Sequence, residues 1–480
     1  MVSSSSESRR CVAGRRESPC AEPGGTFPAA ILFFNAEELW GQPPPLHLAE
    51  IVRVPSPLDE RRSGRDDRSG RAEDGKEATV TETSGARPLD GIRVLEMGQL
   101  LAGPFAGALL GYFGAEVIKV EPPGGGDPLR RWRILDEDGT SLWWRSLGRN
   151  KKCVTLDLRK PEGRRLARRL VAISDVVIEN FRPGTMDGWG LGAEALRAEH
   201  PRLIYTSISG YGQTGPYSQR PGFASVCEAV GGLRYVTGFP DGPPVRSNLS
   251  LGDSLTGLHA ALGILLALLE RQRSGTGQQV DAAIYESVFN MLEAVVPEYD
   301  RAGVVRRPSG STITGIVPTN SYPCADGRYV VIGANGDSLF RRLMVCAERE
   351  DLGEDPRLAD NAGRVEHQEE IDAAIAEWTA GRSSVEVLAA LEAARVPAGP
   401  IYSVEDMIED PHYRARGLFE EVEVGDKPLK VPALRPLLAR TPGRTEWPGP
   451  EVGAHNHEVY GDLLGLSRDE IQRLVAEGVL

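Results

Sequence analysis

The residues with the most chemical character sit in SLGDSLTGLHAALG, Ser250–Gly263. A single carboxylate, Asp253, stands there between a glycine and an apolar run. Two roles fit an aspartate in that place. It can cap the helix that follows, a role worth about 1 kcal/mol. It can also be a nucleophile, because a helix N-terminus favours the ionised form and the ionised form is the one that attacks. Gly252 beside it would leave space for a substrate. Composition alone does not separate the cap from the nucleophile.

Several other segments could meet a ligand. GQLLAGP, Gly98–Pro104, has the G-x-x-x-x-G spacing of a phosphate loop, but Pro104-Phe105 stands where Lys-Ser/Thr is required. It is not G-x-G-x-x-G either, so it reads as a tight turn whose helix amides could hold an anion. VEPPGGGDP, Val120–Pro128, reads as a glycine-rich loop, either a linker or a close approach to a ligand. ENFRPG, Glu179–Gly184, follows an apolar run; Phe181 suits a heterocycle and Arg182 a phosphate. Arg159, Lys160, Arg164, Arg165, Arg168 and Arg169 form a basic cluster that is either a solvated face or a phosphate contact. His455 and His457 lie two apart with no third ligand near, which does not make a metal site. His259, in the leucine-rich stretch, reads as a packed histidine.

The elements that must carry these segments alternate. IRVLEM, EVIKVE, CVTLDL, DVVIE and LIYTSIS read as strands; GPFAGALLGYFG, PEGRRLARRLVA and AEALRAEH read as helices. Strand–helix alternation implies an α/β fold with a Rossmann-like parallel sheet, on which ligands bind at loops after the strand C-termini. A helix should run from the Asp253 region to about Arg273, with Leu255, Leu258, Leu262, Leu265, Leu266 and Leu269 in one stripe. QQVDAAIYESVFNMLEAV reads as strand into helix. A second unit begins near residue 305, with a hairpin turning at Asp326-Gly327 and helices at DSLFRRLMVCAE, EEIDAAIAEWTA and SVEVLAALEAA, before a last helix at RDEIQRLVAEG.

Composition sets the limits. Lys plus Arg is 55 against 68 Asp plus Glu, a formal net charge of −13, which argues against general nucleic-acid binding. The apolar run near Leu262–Leu269 is far shorter than the ~18 residues of a membrane span. Cys11, Cys20, Cys153, Cys227, Cys324 and Cys346 form no C-x-x-C pair and fit free thiols in a reducing cytoplasm. Residues 1–88, Ser-, Arg- and Gly-rich, read as a disordered or spurious extension; as a transit peptide they would direct the chain to mitochondria.

These blocks together resemble the family III CoA-transferases, the group of formyl-CoA transferase. LDGIRVLEMGQLLAGPFAGALLGYFGAEVIKVEPPGGGDPLR is similar to their N-terminal signature, and NKKCVTLDLRKPEG, ENFRPG, SISGYGQTGPYSQRPGF and RVPAGPIYSVEDMIEDPHYRARGLF to later blocks in the same order. The resemblance spans about Leu89 to Leu480. It implies a CoA-transferase in which Asp253 is the nucleophile, carrying aspartyl anhydride and aspartyl-CoA thioester intermediates. It also implies CoA contacts at Ala102, Leu156, Arg159, Asn180, Phe181 and Arg182, with no metal and no cofactor beyond CoA as co-substrate. It implies an interlaced homodimer with no nucleic acid or membrane partner. Each chain would have a large Rossmann-like domain over 89–300, a small α/β domain over 301–415, and a return to the large domain over 416–480.

There are departures. Leu101 and Pro122 replace a glutamine and an arginine of formyl-CoA transferase, and the glycine-rich lid keeps only Gly310 and Gly315. Acyl-CoA racemases share the fold but pair the aspartate with a histidine, and Phe223 holds that place here. A racemase needs two acid/base groups. A racemase-like enzyme and a non-catalytic CoA-binding partner subunit are the alternatives. The exchanged acids are not named by the sequence; Arg246, Arg306 and Arg307 point toward dicarboxylates such as succinate.

Overall fold

The computed structural model describes residues 86–480, so the extension read at 1–88 falls, up to residue 85, outside the described residues. Six strands run parallel: β1 (Arg93–Glu96), β2 (Glu116–Glu121), β3 (Lys151–Thr155), β4 (Val176–Glu179), β5 (Ile204–Ser209) and β6 (Gln279–Ala283). Their order is β3-β2-β1-β4-β5-β6. This is the Rossmann order, and the direction of winding reverses between β1 and β4, which opens a crevice at their carboxyl ends.

Alternation along each strand gives the sheet two apolar faces. Leu95, Ile118, Val154, Val177 and Tyr205 point to one, under the helices Pro161–Ala172 and Ala193–Glu199. Val94, Val117, Val176, Ile204 and Ala282 point to the other, under Ala102–Tyr112 and the long helix Leu251–Ser274. The chain's last segment joins the first face through Val459, Tyr460, Leu474, Val479 and Leu480. It also seals the free edge of β3. The His455 amide donates to the Cys153 carbonyl (3.0 Å), and the Thr155 amide donates to Asn456 Oδ1 (2.9 Å). The Cys153 amide donates to His455 Nδ1 (3.1 Å). His455 is therefore an edge-capping residue.

A second, antiparallel sheet contains β7 (Thr319–Pro323), β8 (Tyr329–Gly333) and β9 (Ala398–Pro400), and the β7–β8 turn has Gly327 in the left-handed region as Asp326-Gly327 predicts. Helices Asp337–Cys346, Gln368–Ala380 and Ser384–Ala393 cover it, with a core of its own built from Ile332, Phe340, Leu343, Ile375 and Leu391. A hairpin, β10 (Phe419–Val424) and β11 (Lys427–Pro432), follows.

The long helix differs from its expected packing. Its inward residues are mostly small ones, Gly257, Ala260, Ala261 and Ala267 beside Ile264 and Leu268, while Leu258, Leu262, Leu265, Leu266 and Leu269 are exposed. The reason is proximity to the Ala102–Tyr112 helix. A Cβ at Gly257 would come within 2.8 Å of the Ala102 carbonyl and 2.9 Å of the Phe105 ring. A leucine stripe cannot enter that gap. By length and composition this helix of 24 residues matches a membrane span, contrary to the short apolar run read from the sequence, but its inner face is part of the sheet's core.

Candidate active site

Two loops meet at the crevice. Gly98–Leu101 follows β1 and Asn180–Pro183 follows β4. Asn180 ties them together: its Oδ1 accepts the Gln99 amide and its Nδ2 donates to the Gln99 carbonyl, both at 2.7 Å. Gly98 makes this possible, because a Cβ there would lie 2.9 Å from Asn180 Oδ1. Leu100 takes a left-handed backbone (φ 64°), a conformation that costs a leucine about 1–3 kcal/mol and persists only where the surroundings impose it.

The surroundings are a buried ion network. Lys119 and Glu121 on β2, Glu96 on β1 and Lys151 on β3 are all but fully buried under the Ala102–Tyr112 helix. Glu96 pairs with Lys119 (3.2 Å) and Lys151 (2.8 Å); Lys119 also pairs with Asp127 (2.9 Å), and Arg130 forks onto both oxygens of Glu121 at 2.7 Å. Three of these groups grip the turn. Asp127 accepts the Leu100 amide at 3.1 Å, Lys119 donates to the Gly98 carbonyl, and Lys151 donates to the Pro104 carbonyl at 2.7 Å. The neighbouring carboxylates hold the Lys119 ammonium above its ordinary range despite its burial, and Lys119 holds Asp127 below its own. The glycine-rich loop Val120–Pro128 therefore serves to bring Asp127 beneath Leu100.

Asp253 arrives from the opposite side. It is the third residue of its helix, and Ser250 occupies the cap position without a side-chain capping bond. Asp253 is thus not the cap. Glu228, 1% exposed on the helix Ala224–Val230, does that work: its Oε1 accepts the Gly252 amide at 3.0 Å. Burial first, and then the Glu228 carboxylate, push Asp253 up to about 7, with Arg246 opposing. Arg246 and Arg234 face Glu228 at 3.6 and 3.8 Å. Sequence reasoning missed Glu228; its signal is one charge inside the otherwise apolar ASVCEAV.

A cavity of about 780 Å³ joins the two sides. Its walls include Ala102, Asn180, Phe181, Arg182, Phe223, Arg246 and Asp253. Five of the seven residues singled out from the sequence therefore converge there. Leu156 and Arg159 do not: Leu156 is buried in the core behind β3, and Arg159 is exposed and forked onto Asp157 at 2.8 and 2.9 Å. Both still follow a strand's carboxyl end, on the same edge of the sheet. The rest of the basic cluster is spent locally, Arg165 on Glu162, Arg168 on Glu199 and Arg169 on the Leu464 carbonyl. Phe181 packs edge-on against Trp189, 5.3 Å between ring centres. Arg182 is exposed, and its guanidinium makes no hydrogen bond or ion pair among the described residues. Among the described residues Asp253 is the one acid on the cavity wall, and no histidine, cysteine, tyrosine or lysine lines it. Among the described residues no cluster of three metal-ligating side chains occurs.

Residues 89–456 match the model of CoA-transferase family III. Succinyl-CoA–D-citramalate CoA-transferase of Chloroflexus aurantiacus is 50% identical over 397 residues, 82% of this chain and 98% of that protein. Human succinyl-CoA:glutarate CoA-transferase is 32% identical over 403 residues, 83% of this chain and 91% of its own length. The crystal structure of a CAIB/BAIF family protein from Brucella suis superposes with a TM-score of 0.71 at 35% identity, covering 79% of this chain and all of that one. With its Rossmann-ordered sheet and a single acid facing the switch-point crevice, the chain belongs to CoA-transferase family III.

Proposed function

We propose that this CoA-transferase moves CoA from succinyl-CoA to a small dicarboxylic acid through covalent intermediates on Asp253. The donor and acceptor classes come from the names of its relatives, which pair succinyl-CoA with D-citramalate, L-malate or glutarate. The observation that carries the mechanism is the solitary acid. The Asp253 carboxylate attacks the thioester carbonyl, the C–S bond breaks, and an aspartyl–acyl anhydride forms beside CoA thiolate. The thiolate attacks the aspartyl carbonyl and the donor acid leaves as its carboxylate. The acceptor carboxylate then attacks the aspartyl-CoA thioester, giving a second anhydride and CoA thiolate. That thiolate attacks the acceptor's acyl carbon, releasing new acyl-CoA and regenerating Asp253. No proton moves in any step, so no second acid or base is required. A racemase would need a second proton carrier; Phe223 supplies none.

Ala102, Leu156, Arg159, Asn180, Phe181 and Arg182 hold CoA along the carboxyl edge of the sheet. Arg182, whose guanidinium has no partner among the described residues, suits a phosphate. Asn180 acts by fixing the Gln99 turn, since both ends of its amide are committed there. The Gln99 and Leu100 amides are likewise engaged, which leaves those of Leu101 and Ala102 to meet a developing oxyanion. The exposed leucines of the long helix, with exposed Phe289 and Val296 on the two helices after β6, Ile284–Phe289 and Val295–Ala302, support a second copy of the chain as their cover.

The test is capture. Incubation with succinyl-CoA followed by hydroxylamine places a hydroxamate on Asp253, read by peptide mass spectrometry. Asp253→Ala loses the adduct and at least ~10³-fold of turnover. Full turnover in that variant overturns the assignment.

A further inference from the structure

Three arginines line the cavity, Arg182, Arg220 and Arg246, and they are not equivalent. The Arg220 guanidinium lies over the Tyr217 ring, 3.6 Å from its centre, with its face already used. Arg182 belongs to the loop after β4, on the side assigned to CoA. Arg246 lies in the segment that leads into the Asp253 helix, and it is the cation whose field reaches Asp253.

The hydrogen bonds of Arg246 are half made. Its Nε donates to the Ser247 carbonyl (3.2 Å) and its Nη2 to the Leu249 carbonyl (2.8 Å), which fixes the plane of the guanidinium. Its Nη1 donates to nothing among the described residues. The carboxylate nearest to it, Glu228, stands at 3.6 Å, beyond a hydrogen bond. Glu228 does not depend on it, because the Gly252 amide and Arg234 remain. Arg246 is therefore an oriented cation with open donors, on the wall of the same cavity as the nucleophile.

We infer that Arg246 is a specificity residue that receives the free carboxylate of a dicarboxylic acyl group while the other end of that group reacts at Asp253. The inference rests on the transferase reading above. A guanidinium held in plane offers a fork matched to a carboxylate, and a partly desolvated charged hydrogen bond of this kind discriminates about 10- to 100-fold against an analogue without the charge.

The experiment is isotope exchange of a labelled acid into its own CoA thioester, succinate into succinyl-CoA and butyrate into butyryl-CoA, with the full-length protein. The two acyl groups have the same chain length and differ in the distal carboxylate. The wild type exchanges succinate with kcat/KM about 10- to 100-fold above butyrate. Arg246→Gln lowers the succinate-to-butyrate ratio of kcat/KM by that factor, a ratio from which any effect on Asp253 common to both acids cancels, and an unchanged thermal unfolding midpoint reports an intact fold. Arg246→Lys, which keeps the charge and loses the fork, recovers part of the preference. Equal losses with both acids would make Arg246 structural and overturn the inference. Equal wild-type exchange of both acids overturns it while leaving the transferase reading standing, and exchange of neither acid brings down both.

Discussion

Under the Gln99–Ala102 turn, three buried carboxylates (Glu96, Glu121, Asp127) face three buried cations (Lys119, Arg130, Lys151), and each carboxylate has a cation within 2.9 Å. Around Asp253 the pattern is reversed. Two carboxylates, Asp253 and Glu228, lie close together, and the arginines facing Glu228 come no nearer than 3.6 Å. The first cluster compensates its charges, and its output is geometry: a leucine held left-handed and a turn with its carbonyls pinned. The second leaves charge uncompensated, and its output is reactivity, a carboxyl pushed up to about 7 by burial and a neighbouring acid. Buried charge serves both halves of one cavity, and the local balance decides which service it gives.

The largest expected effect tests the compensated side. Lys119→Met leaves Glu96 and Asp127 short of a partner inside the protein, which costs about 3–5 kcal/mol, measured by urea denaturation. A loss below about 1 kcal/mol would mean that the network does not hold the turn. On the uncompensated side the sign is opposite. Asp253 has a folded-state pKa above its unfolded one, so its stabilising contribution is complete below about pH 4 and is lost as pH rises through about 7. Asp253→Asn, which never ionises, gains roughly 1–3 kcal/mol over the wild type at pH 8, with a much smaller gap at pH 5. A gap independent of pH would contradict the comparison. The smallest effect sharpens it. Glu228→Gln can still accept the Gly252 amide but removes the like charge, so Asp253 ionises at lower pH and the rising limb of kcat/KM against pH moves toward acid by a fraction of a unit. A limb that stays in place assigns the whole shift to burial.

Much of this was legible in the sequence because it is local. Strand–helix alternation from IRVLEM onward gives the parallel sheet, and the turn residues after each strand give Ala102, Asn180, Phe181 and Arg182 as neighbours of a ligand. Asp253 stood out as one acid before an apolar run. What was not legible depends on contacts between distant segments. The long helix has a leucine face and a small-residue face; hydrophobicity favours the first as the inner one, and the closeness of Ala102–Tyr112 selects the second. Lys119 and Glu121 alternate with apolar residues in EVIKVE, and that alternation is the local trace of the ion network; Lys151 lies just before the strand as read at CVTLDL, flanked by Asn150 and Lys152. Glu228 shows along the chain only as the lone charge of ASVCEAV, with nothing to tie it to Gly252, and the pairing of β3 with His455 and Asn456 has no signature at all.

That last pairing has a consequence for how the protein is made. β3 leaves the ribosome early, and the residues that cover its edge follow about 300 positions later. At the ~5–20 residues per second of synthesis, a strand edge with free amides stands open for roughly 15–60 s in every nascent chain. Until His455 and Asn456 emerge, each growing copy is a template for pairing with another, so these two residues guard its solubility during birth as well as its sheet afterwards.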